Sequence, residues 1–138
     1  MKTALVTGAG MGIGLACAEA FARAGYITVL ADINEPKEQA ARLVAEGHQA
    51  VAYRIDVSDT QAVKEMIDWI VSNYGHLDAA HNNAGIQTPQ RPMAEITDDE
   101  FDRTVAVDLK GVWNCMRYEI LQMLKQGQGA IVNTSSAG

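Results

Sequence analysis

The stretch Ala4-Leu5-Val6-Thr7-Gly8-Ala9-Gly10-Met11-Gly12-Ile13-Gly14 constrains this chain most: an apolar run breaks into glycines and resumes with helical spacing. It reads as strand, tight turn and helix N-terminus. A buried parallel strand that turns directly into a helix leaves backbone N–H groups unpaired at the positive end of the helix dipole. That end favours a phosphate, so the stretch reads as a nucleotide site. The spacing is not G-x-G-x-x-G, because Ile13 takes the third position counted from Gly8 and Leu15 takes it counted from Gly10. It is T-G-x-x-x-G-x-G. Gly8 and Gly12 let the chain turn and the backbone approach a pyrophosphate, while Gly14 removes a side chain where the helix packs on the strand. The alternative is a βα loop that binds nothing, which leaves the backbone-entropy cost of four glycines in residues 8–14 without a return.

The rest of the chain alternates strands and helices. Ile13 to Ala24 has helical apolar spacing and stops at Gly25, and Tyr26 to Ala31 is a second strand ending at Asp32. An acidic residue at this distance from the glycine turn meets an adenosine ribose, accepting from both hydroxyls and repelling a 2′-phosphate. NAD is therefore expected over NADP. Met11 agrees, since it offers no cation to a 2′-phosphate, whereas Lys37 is close enough in sequence to keep NADP open. A turn or helix-capping role for Asp32 is the plainer alternative. Pro36 to Glu46 is a helix and Ala50 to Ile55 a third strand closed by Asp56-Val57. Ser58 with Gln61 suggests a capping box for a helix whose Val63, Met66, Ile67, Ile70 and Tyr74 share one face.

Leu77 to His81 is a fourth strand, and Asn82-Asn83-Ala84-Gly85 follows at the sheet edge where open α/β folds place ligands, although such a turn needs no ligand. Residues 86–96 form a loop, either a substrate-side wall or a connection. Thr97 and Glu100 suggest a second capping box for one long helix marked by Phe101, Val105, Val112, Met116, Ile120 and Leu124 and running to about Gln126. Ala130 to Thr134 is a fifth strand, with Ser135-Ser136 beyond it. This alternation predicts an α/β, doubly wound parallel sheet of Rossmann type, five strands in the order 3-2-1-4-5 with helices on both faces. Residues 1–138 make one domain.

A net charge of −6, with basic residues scattered, argues against nucleic acid. No apolar run reaches the ~20 residues of a membrane helix. With the first strand starting almost at Met1, a cytoplasmic location is expected and no membrane association. Cys17 and Cys115 lack metal or redox spacing and read as small core residues, and His48, His76 and His81 share no ligand spacing, so no metal is expected. The histidines read as surface or strand-end residues, His81 alone lying near the ligand edge.

Together, Thr7-Gly8-x-x-x-Gly12-x-Gly14, Asp32, Asp56-Val57 and Asn82-Asn83-Ala84-Gly85 resemble the short-chain dehydrogenase/reductase family in order and spacing, over the whole chain. The resemblance implies an NAD-dependent oxidoreductase moving hydride between a secondary alcohol or ketone and NAD. It places the pyrophosphate on the turn Gly8, Met11, Gly12, Ile13 and Gly14. It sets the adenosine ribose at Asp32 and Ile33, the adenine by Asp56 and Val57, and the other ribose at Asn83, Ala84 and Gly85. Ile131-Val132-Asn133-Thr134-Ser135-Ser136 resembles the strand ending in the family's catalytic serine, which assigns to Ser136 a hydrogen bond to the substrate oxygen. A simple polar turn is the alternative there. The partner implied is a small alcohol or ketone, and a homo-oligomer is allowed, since the family uses the helix beginning at Thr97 in its assembly face.

Two departures stand out. Val107-Asp108-Leu109-Lys110-Gly111 puts Asp108 where the family carries an assisting Asn, so a role needing an amide donor is lost while an acceptor or backbone role survives. The family's Tyr-x-x-x-Lys pair, the general acid/base and its pKa-lowering partner, does not follow Ser136 within these 138 residues, and Tyr118 lies upstream. The expectation is a cofactor-binding portion, incomplete at its C-terminus and inactive alone. A non-catalytic dinucleotide- or partner-binding module and an inert truncated product remain as alternatives.

Overall fold

Strand β1 (Thr3–Thr7) is buried at every position, so both faces of the sheet must be covered. The computed structural model describes residues 1–136; Ala137 and Gly138, which the sequence reading places after the fifth strand, lie outside the described residues. The elements that follow are α1 (Gly12–Arg23), β2 (Ile27–Asp32), α2 (Lys37–Ala45), β3 (Ala50–Arg54), α3 (Thr60–Tyr74), β4 (Ala79–Asn82), α4 (Asp98–Thr104), α5 (Val112–Gln126) and β5 (Ala130–Asn133). The five strands pair in parallel in the order β3-β2-β1-β4-β5, as the alternation predicts.

Side chains alternate across the pleat and sort the core into two layers. Leu5, Val29 and Ala31 point to the layer built by Val63, Met66, Ile67 and Ile70 of α3 and by Cys115 and Met123 of α5. Val6 and Leu30 point the other way, to Ala18 and Ala22 of α1 and Leu43 of α2. Each fully buried Leu or Val contributes about 1.5–3 kcal/mol through its removal from water. Because strand order reverses between β1 and β4, their carboxyl ends part and leave a crevice there.

Several local expectations are corrected. The cap of α3 is Asp59, whose carboxylate accepts from the Ala62 N–H at 3.1 Å. Ser58 is unavailable for that role because its hydroxyl donates to Asp56 Oδ1 at 2.7 Å. The Thr97–Glu100 capping box is present in both directions, but the helix it starts is not continuous to Gln126: residues Val105–Gly111 are π-helical between α4 and α5. The apolar stripe that marked this helix is largely its outer face, with Phe101, Ile120 and Leu124 exposed. Its inner face carries Asn114, Cys115, Glu119 and Met123 instead. Cys115 is buried and Cys17 half-buried. Within residues 86–96 a short 3-10 turn forms at Met93–Glu95. Among the described residues no helix is long and apolar enough to cross a membrane.

Asn114 explains part of that polar inner face. Its amide donates to the Val57 carbonyl at 2.9 Å, and its oxygen accepts from Thr60 Oγ1 at 3.1 Å, which ties α5 to the loop after β3. Asn114→Leu strands the buried Val57 carbonyl, and denaturant unfolding should show a loss of about 1–3 kcal/mol.

Candidate functional site

The turn after β1 is held open by glycines for two different reasons. Gly8 and Gly12 adopt φ of +64° and +57°, the left-handed region that L side chains avoid. Gly14 has an ordinary φ but no room: a Cβ there would lie 2.0 Å from the Gly8 carbonyl oxygen. Helix α1 therefore starts directly against the turn. Its N-cap, Met11, makes no side-chain cap and its first turn has no acidic residue, whereas α3 and α4 both carry side-chain caps. The dipole end of α1 is thus left free for an external anion.

Asp32, at the end of β2, is fixed through both carboxylate oxygens. Oδ2 accepts from the Gly10 N–H at 2.9 Å and Oδ1 from the Ile33 N–H at 2.7 Å. The Gly10 carbonyl in turn accepts from Gln39 Nε2 of α2 at 2.7 Å. Gly10 is a glycine for space, since a Cβ would come within 2.9 Å of Asp32 Oδ2. The fingerprint places no demand on position 10, and nothing in the periodicity of α2 marks Gln39, so both contacts emerge only from the folded chain.

Across the crevice, the Thr7 hydroxyl accepts from the backbone N–H of Asn83 at 3.0 Å and of Ala84 at 3.1 Å, pinning the Asn-Ala-Gly turn to the end of β1. Asn83 Oδ1 accepts from Thr134 Oγ1 at 2.7 Å. Having spent its one proton there, the Thr134 hydroxyl accepts from His81 Nε2 at 2.8 Å, which assigns the proton of that ring to Nε2. Burial pushes the His81 pKa down and keeps the ring neutral. Asp108, in the π-helical turn, accepts the Ile86 N–H on Oδ1 at 2.8 Å, and Ser136 is exposed beyond the end of β5.

At the far end of the crevice Asp56 accepts from the Ser58 hydroxyl at 2.7 Å and backbone N–H at 3.0 Å, and from Arg103 of α4 at 3.4 Å. Burial raises the Asp56 pKa, but the Ser58 bonds and the Arg103 guanidinium outweigh it and hold the carboxyl below the usual range. A cleft of about 790 Å³ joins these groups. The turn residues Gly8 and Met11, the pair Asp32 and Ile33, the pair Asp56 and Val57, and Asn83, Ala84 and Gly85 all line it. Gly12, Ile13 and Gly14 form the first turn of α1 without lining the cleft, and Asp108 and Ser136 also stand outside it. Gly10, Gln39 and Arg103 line it without having been singled out by the motif. A cleft that joins the uncapped start of a helix, a clamped carboxylate and the Asn-Ala-Gly turn fits an extended dinucleotide.

Residues 2–138 match the family model described as short chain dehydrogenase. The chain belongs to the short-chain dehydrogenase family. It is similar to the uncharacterized oxidoreductase YxbG of Bacillus subtilis, 42% identical over 137 residues, covering 98% of this chain and 50% of that protein. It is also similar to 2,5-dichloro-2,5-cyclohexadiene-1,4-diol dehydrogenase of Sphingobium indicum, 37% identical, covering 99% of this chain and 54% of the relative. Among solved structures, a metagenomic short-chain oxidoreductase in complex with NADP superposes with a TM-score of 0.92 at 29% identity, covering 99% of this chain and 63% of that one. The chain spans about half the length of the curated relatives it matches.

The Asp56 cluster yields a direct test. A depressed carboxyl pKa stabilises the fold above the unfolded value of 3.8, and that contribution is lost as pH falls through the lower folded value. In Arg103→Gln the Asp56 carboxyl should titrate at a higher pH than in the wild type, read by carbon NMR of the side-chain carboxyl. The acid limb of the stability curve should move upward with it.

Proposed function

We propose that this chain is the dinucleotide-binding portion of an oxidoreductase that moves hydride between a secondary alcohol or ketone and NAD(H), with NAD preferred over NADP. The observation that carries the preference is the clamped Asp32 carboxylate. With one lone pair of each oxygen engaged by Gly10 and Ile33 N–H groups, the remaining lone pairs accept the two adenosine-ribose hydroxyls and repel a 2′-phosphate. The pyrophosphate fits the uncapped start of α1, where Gly12 and Ile13 present backbone N–H groups and Gly14 allows close approach. The Asp56-Val57 end takes the adenine, and Asn83, Ala84 and Gly85 take the second ribose. NAD supplies the hydride acceptor when bound.

Ser136 follows β5 at the same sheet edge, and its hydroxyl donates to the substrate oxygen as negative charge develops there. Asp108 serves as an acceptor that positions the loop at Ile86, and not as an amide donor. The Sphingobium relative acts on a cyclic diol, which agrees with a small secondary alcohol as the substrate class. The 138 residues hold no Tyr-x-x-x-Lys pair after Ser136, so this chain by itself binds NAD without turning over an alcohol.

Titration of the 138-residue chain with NADH and NADPH by fluorescence separates the readings. NADH should bind at least about tenfold tighter than NADPH, and Asp32→Ala should weaken NADH by about tenfold or more, the size of a hydrogen bond to a charged group. Equal binding of both cofactors, or no binding, overturns the proposal. At saturating NAD, a panel of secondary alcohols should give no cofactor reduction; turnover at an enzyme-like rate contradicts the inactivity of the isolated chain.

A further inference from the structure

The polar inner face of α5 holds a second buried group, and it has no partner of opposite charge. Glu119 is wholly buried, and Asn82, the last residue of β4, is nearly so. Asn82 Nδ2 donates one hydrogen to Glu119 Oε1 at 2.8 Å and the other to Asn133 Oδ1 of β5 at 3.1 Å, so both amide hydrogens are used. Two buried atoms are left without a partner: Asn82 Oδ1 and Glu119 Oε2. If Glu119 were ionised, both would be acceptors with no donor, each bearing its full desolvation cost. A single proton on Oε2 converts that oxygen into a donor. The acceptor lacking a bond belongs to the same Asn82 side chain that Oε1 already holds.

We propose that Glu119 is a neutral carboxylic acid paired through both oxygens with the Asn82 amide, and that this pair is a positioning device for the cofactor end of β4 and β5. Apart from the one Asn82 amide hydrogen on Oε1, its surroundings offer little to stabilise a carboxylate. No ion pair to Glu119 occurs among the described residues, and β4 and β5 face it with the amides of Asn82 and Asn133. Cys115, one turn earlier on α5, is a titratable neighbour; burial pushes its thiol up, so it carries no charge either. The buried α3 residues packed on the same layer are Val63, Met66, Ile67 and Ile70, with Tyr74 half-buried against them and its phenol pushed up by burial, so it too is neutral. Burial raises the Glu119 carboxyl to about 7, with the Asn82 bond opposing only in part.

The pair reaches the site through the chain itself. Asn82 is followed by Asn83, whose N–H is held by Thr7, and Asn133 is followed by Thr134, whose hydroxyl holds Asn83 Oδ1. Ionising Glu119 breaks one arm of the pair and loosens the pairing of β4 with β5 next to Asn83. That effect on the cofactor rests on the proposed function; the protonation of Glu119 does not.

Glu119→Gln is the discriminating variant, because a glutamine amide reproduces both bonds of the neutral acid and cannot ionise. The 138-residue wild type near pH 5 should show the infrared carbonyl band of a protonated carboxylic acid that Glu119→Gln lacks. A carboxyl raised in the folded state gives stability that is complete below the unfolded value of 4.5 and is lost as pH rises to about 7. Wild-type stability should therefore fall relative to Glu119→Gln across that window. The NADH dissociation constant of the wild type should rise by about fivefold or more over the same window, the low end of coupling between linked sites, and that of Glu119→Gln should stay level. His81 is common to both proteins, so its titration cancels in the comparison. Parallel stability profiles, or an infrared band unchanged by the substitution, overturn the neutral pair. A wild-type NADH affinity that tracks that of Glu119→Gln while the stability profiles diverge overturns the positioning role. Absence of NADH binding at every pH overturns the proposed function, and the infrared and stability measurements still decide the state of Glu119.

Discussion

The contact on which the site depends is the approach of α1 to the end of β1, where a Cβ on Gly14 would stand 2.0 Å from the Gly8 carbonyl oxygen. No side chain fits, so the helix starts in contact with the turn it has just left. With Gly8 and Gly12 supplying the left-handed angles, the chain reverses within a few residues. The uncapped start of α1 then lies beside the crevice, with its N-cap residue Met11 on the cleft wall. Everything else at the sheet edge is arranged around that opening: Asp32 on one side of it, the Asn-Ala-Gly turn on the other.

Small polar links hold those neighbours in place. Thr7 is fully buried and uses its hydroxyl to accept two backbone N–H groups from β4's exit turn. Gly10 is gripped at both of its polar groups, by Asp32 and by Gln39. Asn114 reaches back to the Val57 carbonyl, and Glu119 meets Asn82. These contacts lie in or just behind the cleft, and a buried hydrogen bond that is lost costs far more than one that was never needed. Apolar burial makes the sheet stable; the polar links set where its loops end.

The sheet was legible because its signals are local and repeated. Buried parallel strands read as apolar runs, glycines punctuate the helix ends, and the T-G-x-x-x-G-x-G turn announces its own geometry. Asp32, Asp56 and Asn83 could be placed because each sits where a strand ends, and strand ends converge on one edge. What escaped was tertiary. Gln39 and Arg103 act from helix faces whose periodicity carries no sign of their target, and Glu119 looks like an ordinary solvated helix residue until α5 is laid on β4. The Phe101-to-Leu124 stripe suggested one regular helix, yet a strict 3.6-residue period cannot show that the chain widens at Val105–Gly111. The Ser58–Gln61 spacing suggests a cap, but the Ser58 hydroxyl has a better partner in Asp56 and Asp59 caps the helix instead.

The π-helical turn also accounts for Asp108. Gly111 packs so tightly that a Cβ would come within 2.6 Å of Val57 Cγ2, and Val107 is buried nearby, so this segment is anchored on its inner side. The wider turn then places position 108 beside Gly85, with its Oδ1 on the Ile86 N–H. What the fold requires there is an acceptor, and a carboxylate supplies one as well as an amide does. The replacement of Asn by Asp thus keeps the contact that shapes the loop and gives up only the donor.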